Sequence, residues 1–251
     1  MFAAPPLRPA QADAWHALFD LHERLPDGWA LVGGQMVQSL CWERGATPNR
    51  PTTDADTALD VRARPRMLLT FTRALRDMGF LPDGESFEGH QHRWIRGEAQ
   101  IDVLIPRFLG ERAERRRGAT GGTTIAAPGT QGALRRAEPV TVEVNGRRGT
   151  VLRPTLKGAL LSKAAAVEIV GADPTRHLMD IATLAALVTR RDRIADAITP
   201  TERRRVMAAT AMLERSPSIA RAARVDETAV KRLRLAMAGA PSEAGSGVRA
   251  R

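Results

Sequence analysis

Apolar positions along this chain follow first a mixture of helical and alternating periods and later a purely helical one. Over residues 11–25, Ala14, Leu18, Leu21 and Leu25 recur at helical spacing, so an amphipathic helix opens the fold and ends at Pro26-Asp27-Gly28. Trp29 to Val32 reads as a short buried strand broken by Gly33-Gly34. Gln35 to Glu43 returns to helical spacing through Met36, Leu40 and Cys41, and residues 45–53 are turn-rich. From Asp54, alternation places Ala55, Thr57, Leu59 and Val61 on one strand face. A helix is expected from Pro65 to Asp77, stopped by Gly79.

Two hairpins come next. Gly97-Glu98 suits a two-residue turn whose pairing of Arg96 with Ala99 sets Arg93 opposite Asp102. Asn145-Gly146 joins the strands of 140–152, and between the hairpins residues 110–122 read as a mobile basic loop. After Thr155 the period is helical throughout, with helices expected over 156–170, 175–189, 201–214 and 219–235. The expected organisation is an α+β core over 1–154, a helical domain over 155–241 and a disordered Gly/Ser/Arg tail over 242–251.

Composition narrows the class. With 43% hydrophobic and 26% charged residues in 251, wholesale disorder is excluded. The formal charge of +10 favours a polyanionic partner, although arginine supplies nearly all of it, Lys157, Lys163 and Lys231 being the lysines. The single cysteine, Cys41, excludes a disulfide framework or a cysteine-based zinc site and reads as a small buried hydrophobe. No apolar run approaches the ~20 residues of a membrane span. The first residues lack a basic segment followed by an apolar one, so a cytoplasmic location is expected. The absence of tyrosine and the 4% aromatic content argue against a base-stacking platform.

Three features carry chemistry. Gly33-Gly34 lies between a strand and a helix, where backbone N–H groups can hold phosphate oxygens. Asp54 and Asp56 project from one face of a strand, with Cα atoms roughly 6.6 Å apart; hard carboxylates so placed can share a Mg²⁺ ion. Asp102 interrupts an apolar strand, where an ionised group costs several kcal/mol unless paired or bound to metal. It can ion-pair Arg93 across the hairpin or join the other two carboxylates. Each feature has a bland reading alone: a common turn, a solvated strand face, a local ion pair. Lys163 borders the apolar stripe of its helix and is either a snorkelling lysine or an ammonium aimed at a triphosphate. Asp180 lies toward an apolar stripe and has Arg176 as a local i−4 partner. His90 and His92 alternate with Trp94, but no further ligand cluster accompanies them. The Arg115–Arg117, Arg190–Arg193 and Arg203–Arg205 runs are solvated faces or phosphate-backbone contacts.

The order strand–Gly-Gly–helix, Asp-x-Asp, then a later lone Asp resembles the nucleotidyltransferase superfamily of DNA polymerase β-like fold, through LVGGQMVQSL, RPTTDAD and QIDVLIP. The spacing Arg50-x-Thr52-x-Asp54-x-Asp56 is similar to that of AbiEii-type toxins of type IV toxin–antitoxin systems. So are Lys163 in LLSKAAAV and the run from Arg176 to Ile181. The likeness spans Leu31 to Leu187, with three departures: His177 stands where that group often has an Asp, Thr57 where it has a hydrophobe, and the stretch between Gly34 and Asp54 is long for the superfamily, though tolerable for this branch. The resemblance implies an α+β nucleotidyltransferase core, with a small mixed sheet flanked by helices and a helical C-terminal domain. It implies Mg²⁺ or Mn²⁺ at Asp54, Asp56 and Asp102, and an NTP contacted by Gly33, Gly34, Arg50, Thr52, Lys163 and Asp180. Asp102 would assist deprotonation of the acceptor hydroxyl, and Lys163 would join the three carboxylates in catalysis. The implied acceptor is RNA, with tRNA favoured, and the implied partner a cognate antitoxin. A small-molecule, antibiotic-type nucleotidyltransferase and an inactive RNA- or protein-binding member are the competing readings.

Overall fold

The computed structural model describes residues 1–86, 89–108, 110–169, 171 and 173–238; the tail assigned to 242–251 lies outside them. The first half builds a six-stranded mixed sheet from β2 (Trp29–Leu31), β3 (Ala55–Leu59), β4 (Leu81–Pro82), β5 (Arg93–Arg96), β6 (Ala99–Pro106) and β7 (Ile125–Ala127). Its spatial order is β2-β3-β6-β5-β4, and β7 pairs with the last residues of β6, beyond the end of β5. β3 and β6 run parallel with Asp56 opposite Asp102, whereas β2 is antiparallel to β3.

Alternation along β3 and β6 gives the sheet two faces. Ala55, Thr57, Leu59, Ile101, Val103 and Ile105 are all buried, and their apolar members join one large core with α1 (Pro9–Arg24) and α3 (Met67–Asp77). Thr57 fits there because its hydroxyl donates to the Asp102 carbonyl at 3.0 Å. That bond satisfies the polar atom which the departure from a hydrophobe introduces. The opposite face carries Asp56, Ala58, Asp102 and Leu104. The short helix α5 (Thr130–Leu134) covers its apolar part, packing Ala133 and Leu134 on Val32, Ala58 and Leu104. The carboxylates lie beyond that cover.

The Gly97-Glu98 hairpin has the expected register, with Arg93 opposite Asp102 and φ +58° at Gly97. The second hairpin is longer than expected: β8 (Ala137–Val144) pairs with β9 (Arg147–Pro154) through Asn145 and Gly146, both at positive φ. It forms a separate sheet with β1 (Phe2–Ala3), a strand too short to show a period. Residues 110–122 are tied down rather than free. After α4 (Glu111–Glu114), Arg116 donates to the Val61 carbonyl and Ala119 N–H to the Thr72 hydroxyl, while Gly118 N–H bonds the Gly122 carbonyl.

The later helices are α6 (Leu156–Ala166), α7 (Thr175–Leu187), α8 (Pro200–Arg215), α9 (Pro217–Ala222) and α10 (Glu227–Ala238). The single helix expected over 219–235 is two, because Arg224 takes φ +57° and the Asp226 side chain accepts the Thr228 N–H, starting a new helix. Cys41 is fully buried, as expected, and burial pushes its thiol up to about 12, so it is an inert apolar group. Among the described residues no helix is long and apolar enough to cross a membrane.

Candidate active site

Asp54, Asp56 and Asp102 come together as expected: each offers a carboxylate oxygen, and these oxygens all lie within 4.8 Å of one another. Asp56 and Asp102 face each other across the parallel β3–β6 pair, and Asp54 precedes β3 by one residue. Three like charges this close are relieved by a bound proton or by a cation. Burial first, then Asp54 and Asp102, push the Asp56 carboxyl up to about 7, against the opposing pull of Lys163 and a hydrogen bond from the Gly34 N–H.

The Gly-Gly pair is required by close approach. α2 runs from Gly33 to Glu43, and Gly33 sits at φ +69°, where a Cβ would overlap the Asp56 carboxylate. A Cβ on Gly34 would meet Thr52 Cγ2 at 2.9 Å. The backbone thereby reaches within hydrogen-bonding distance of the acidic cluster. The Thr52 hydroxyl donates to Asp54 Oδ1 and so fixes that carboxylate from the loop side.

Asp102 satisfies both alternatives left open by the sequence. Arg93 grips it with Nε to Oδ1 and Nη2 to Oδ2, each at 3.1 Å, and Gln100 donates to Oδ1 at 3.2 Å. The carboxylate is 6% exposed, and these bonds offset its burial. Asp102 is thus both an ion-pair partner of Arg93 and a member of the acidic cluster.

Across from the acids stands a second cluster. Lys163 on α6 and Asp180 on α7 form a salt bridge of 2.7 Å, and Arg50 reaches the same Asp180 oxygen at 3.3 Å. Lys163 is therefore no snorkelling lysine: it is 5% exposed and held by a carboxylate, while its charge acts on Asp56. Asp180 is 1% exposed and bonded to Lys163 and Arg50 rather than to Arg176. In this arrangement it orients the two cations. His177, one turn earlier on α7, is kept below its ordinary value by burial and then by Lys163, so it is neutral near pH 7.

Gln35 and Gln38 support the site, although no motif in the sequence marks them. Gln35 Nε2 donates to the Thr53 carbonyl at 3.0 Å, and Gln38 Nε2 to the Arg50 carbonyl at 3.1 Å, pinning the loop that carries Arg50, Thr52 and Asp54. Gln11 on α1 completes the chain by donating to Gln38. Amides three apart on the α2 stripe, where apolar groups belong, were the available signal. His90 and His92 lie outside the acidic cluster: the His90 ring is 2.9 Å from the Thr123 hydroxyl, and the His92 carbonyl accepts the Val103 N–H.

No family model matches the sequence, and no curated protein matches it either. Among solved structures, the chain is similar to an antigenic nucleotidyltransferase-like protein from Paracoccidioides brasiliensis. The two share 16% identity over 91% of this chain and 100% of that one, with a TM-score of 0.50. It is also similar to the antibiotic-resistance factor ANT(2'')-Ia in solution, at 13% identity over 83% and 97% of the two chains and a TM-score of 0.45. The crystal structure of ANT(2'')-Ia with adenylyl-2''-tobramycin aligns at 14% identity over 73% and 93%, with a TM-score of 0.44. With the first of these, a nucleotidyltransferase-like protein, the chain shares its α+β fold.

Proposed function

We propose that this chain is a divalent-metal-dependent nucleotidyltransferase that transfers NMP from an NTP to a terminal hydroxyl of RNA, with tRNA the favoured acceptor. Growth arrest relieved by a cognate antitoxin is the biological role that goes with that acceptor. The observation that carries the reading is the three-carboxylate cluster at the end of a strand–Gly-Gly–helix unit, faced by the buried Lys163–Asp180–Arg50 cluster.

The donor set fits Mg²⁺ or Mn²⁺: hard oxygens, mutually close, with Asp56 raised by burial and then by its like-charged neighbours. A divalent ion held by Asp54, Asp56 and Asp102 supplies charge neutralisation for a triphosphate and for a developing alkoxide. The chain's own groups do the rest by position. Gly33 and Gly34 bring backbone against the acidic cluster without side-chain bulk, and Thr52 fixes Asp54. Lys163 and Arg50, held in place by Asp180, supply fixed positive charge opposite the carboxylates, where a triphosphate tail gathers negative charge. In the reaction the acceptor oxygen bonds to the α-phosphorus, the α–β anhydride bond breaks and pyrophosphate leaves with the electron pair. Asp102 Oδ2, which accepts a single one of the Arg93 and Gln100 hydrogen bonds, keeps one lone pair for the ion and so assists loss of the acceptor's hydroxyl proton, which passes to water.

Positive charge favours a polyanionic acceptor. Arg190, Arg191 and Arg204 are exposed, as are Arg115 and Arg193, which pair with Glu111 and Asp196, and Arg117, which bonds the Gly121 carbonyl; Arg116 and Arg203 bond backbone carbonyls and Arg205 pairs with Glu168. Purified protein with Mg²⁺, each labelled NTP and total RNA should label RNA, with activity falling steeply as salt rises and vanishing in Asp56→Ala. Labelling of a small hydroxylated compound while RNA stays unlabelled with all four NTPs would overturn the acceptor assignment. The small-molecule reading would then replace it.

A further inference from the structure

On the side of α6 away from the carboxylates lies a cavity of about 250 Å³. Leu161 and Ala165 of α6 form part of its floor, and Lys163 stands midway between them in sequence. Two residues on a helix are roughly 200° apart, so the cavity and the acidic cluster occupy opposite sides of α6, separated by about 10 Å of helix. Three guanidinium groups line it, Arg107, Arg135 and Arg205, with one carboxylate, Glu202, which Arg136 holds at 2.9 Å. Arg205 is engaged by Glu168 at 2.7 Å. Among the described residues neither Arg107 nor Arg135 has a carboxylate in ion-pair contact, and both are exposed.

Beside Arg107 stands Phe108, 86% exposed and held at φ +61°. A bulky residue in the left-handed region is strained, and here the strain presents an uncovered aromatic ring at the rim of a cationic cavity. The chemistry offered is positive charge and one stacking surface. The cavity is smaller than the ~300–1,000 Å³ of a complete small-molecule site, so it suits one unit of a longer ligand.

We propose that this rim is a second contact for the acceptor RNA: an unpaired nucleotide away from the reacting hydroxyl stacks on Phe108 while Arg107 and Arg135 take neighbouring phosphates. The inference rests on the RNA reading and deepens it. Only a polymer can engage the carboxylates and this rim at once, across the thickness of a helix. The low aromatic content excludes a platform of several rings, and a single ring suffices to hold one base.

The test uses the full chain, a 5′-labelled single-stranded RNA and a 5′-labelled tRNA, read by fluorescence anisotropy across a salt series. Arg107→Ala/Arg135→Ala should lower the slope of log K against log salt by about 1.4, two phosphate contacts to a single strand. Phe108→Ala should weaken RNA binding roughly tenfold and Phe108→Trp should restore it. Mg²⁺-NTP affinity and melting temperature should match the wild type in all three variants. If the wild type binds and labels RNA while the variants show its affinity and slope, this subsite is wrong and the RNA acceptor stands. If the wild type neither binds nor labels RNA, both fall together. Parallel loss of NTP affinity or a lowered melting temperature would also overturn the subsite, because the effect would then be structural.

Discussion

Lys163 Nζ and Asp180 Oδ2 lie 2.7 Å apart, on two different helices, with both side chains almost wholly removed from solvent. The pair joins α6 to α7, and Arg50 adds the loop before β3 to the same oxygen. Removing Lys163 leaves a buried carboxylate with one long contact to Arg50. Breaking such a pair costs about 3–5 kcal/mol. Lys163→Ala should therefore lower Tm by roughly 10 °C as well as weaken NTP binding, against the near-unchanged stability expected of a lysine at the core edge. Lys163→Met, which keeps the stem without the charge, should lose as much. A melting curve like the wild type's would show that the pair contributes nothing.

The Asp56 carboxyl supplies a pH prediction. Its folded value of about 7 stands above the unfolded value of 3.8, so between these the folded state holds a proton that the unfolded state has released. Stability from this group is fully present below the unfolded value and is lost as pH rises through about 7. In EDTA, Tm should fall over that window, and Asp56→Asn should flatten the fall. A divalent ion replaces the proton, so the gain in Tm from added Mg²⁺ should be larger at pH 8 than at pH 5. Equal gains at the two pH values would contradict this account.

Arg93 reaches both oxygens of Asp102 from the neighbouring strand. Groups that orient a metal-binding carboxylate in this way are worth 10–100-fold in activity or metal affinity. Arg93→Ala should raise the Mg²⁺ concentration needed for half-maximal activity by about that factor. Arg93→Lys should recover little, since an ammonium offers no planar fork. Titration of activity against Mg²⁺ at saturating NTP decides it, and an unchanged midpoint in both variants would reduce Arg93 to a surface partner.

Gly33 is the most sensitive position by geometry. Gly33→Ala places a methyl group on the Asp56 carboxylate in a backbone conformation costing roughly 1–2 kcal/mol for any side chain. Displacing the carboxylate by about 1 Å should cost ~10²-fold in kcat. Gly34→Ala meets Thr52 instead, at 2.9 Å or more and without a left-handed backbone, and should be milder. Steady-state rates for the two variants would rank them, and the reverse order would refute the argument.

The sequence alone fixed what depends on neighbours in the chain. The register of Arg93 against Asp102 follows from a two-residue turn at Gly97-Glu98, because a turn of defined length leaves one pairing. The shared face of Asp56, Ala58, Asp102 and Leu104 follows from the two-residue strand period. The helices carrying Lys163 and Asp180 follow from apolar spacing. Tertiary structure decided what depends on parts distant in sequence. β1, β4, β7 and α5 are too short to show a period, and they form because partners already folded supply their hydrogen bonds and apolar surface. Asp180 pairs with Lys163 and Arg50, not with Arg176 one turn away, because burial rewards the partner that shares its low-dielectric surroundings over one left in water. Asp54 and Asp56 meet Lys163 across some 110 residues of chain. No local pattern encodes that distance; the packing of α6 and α7 against the core does.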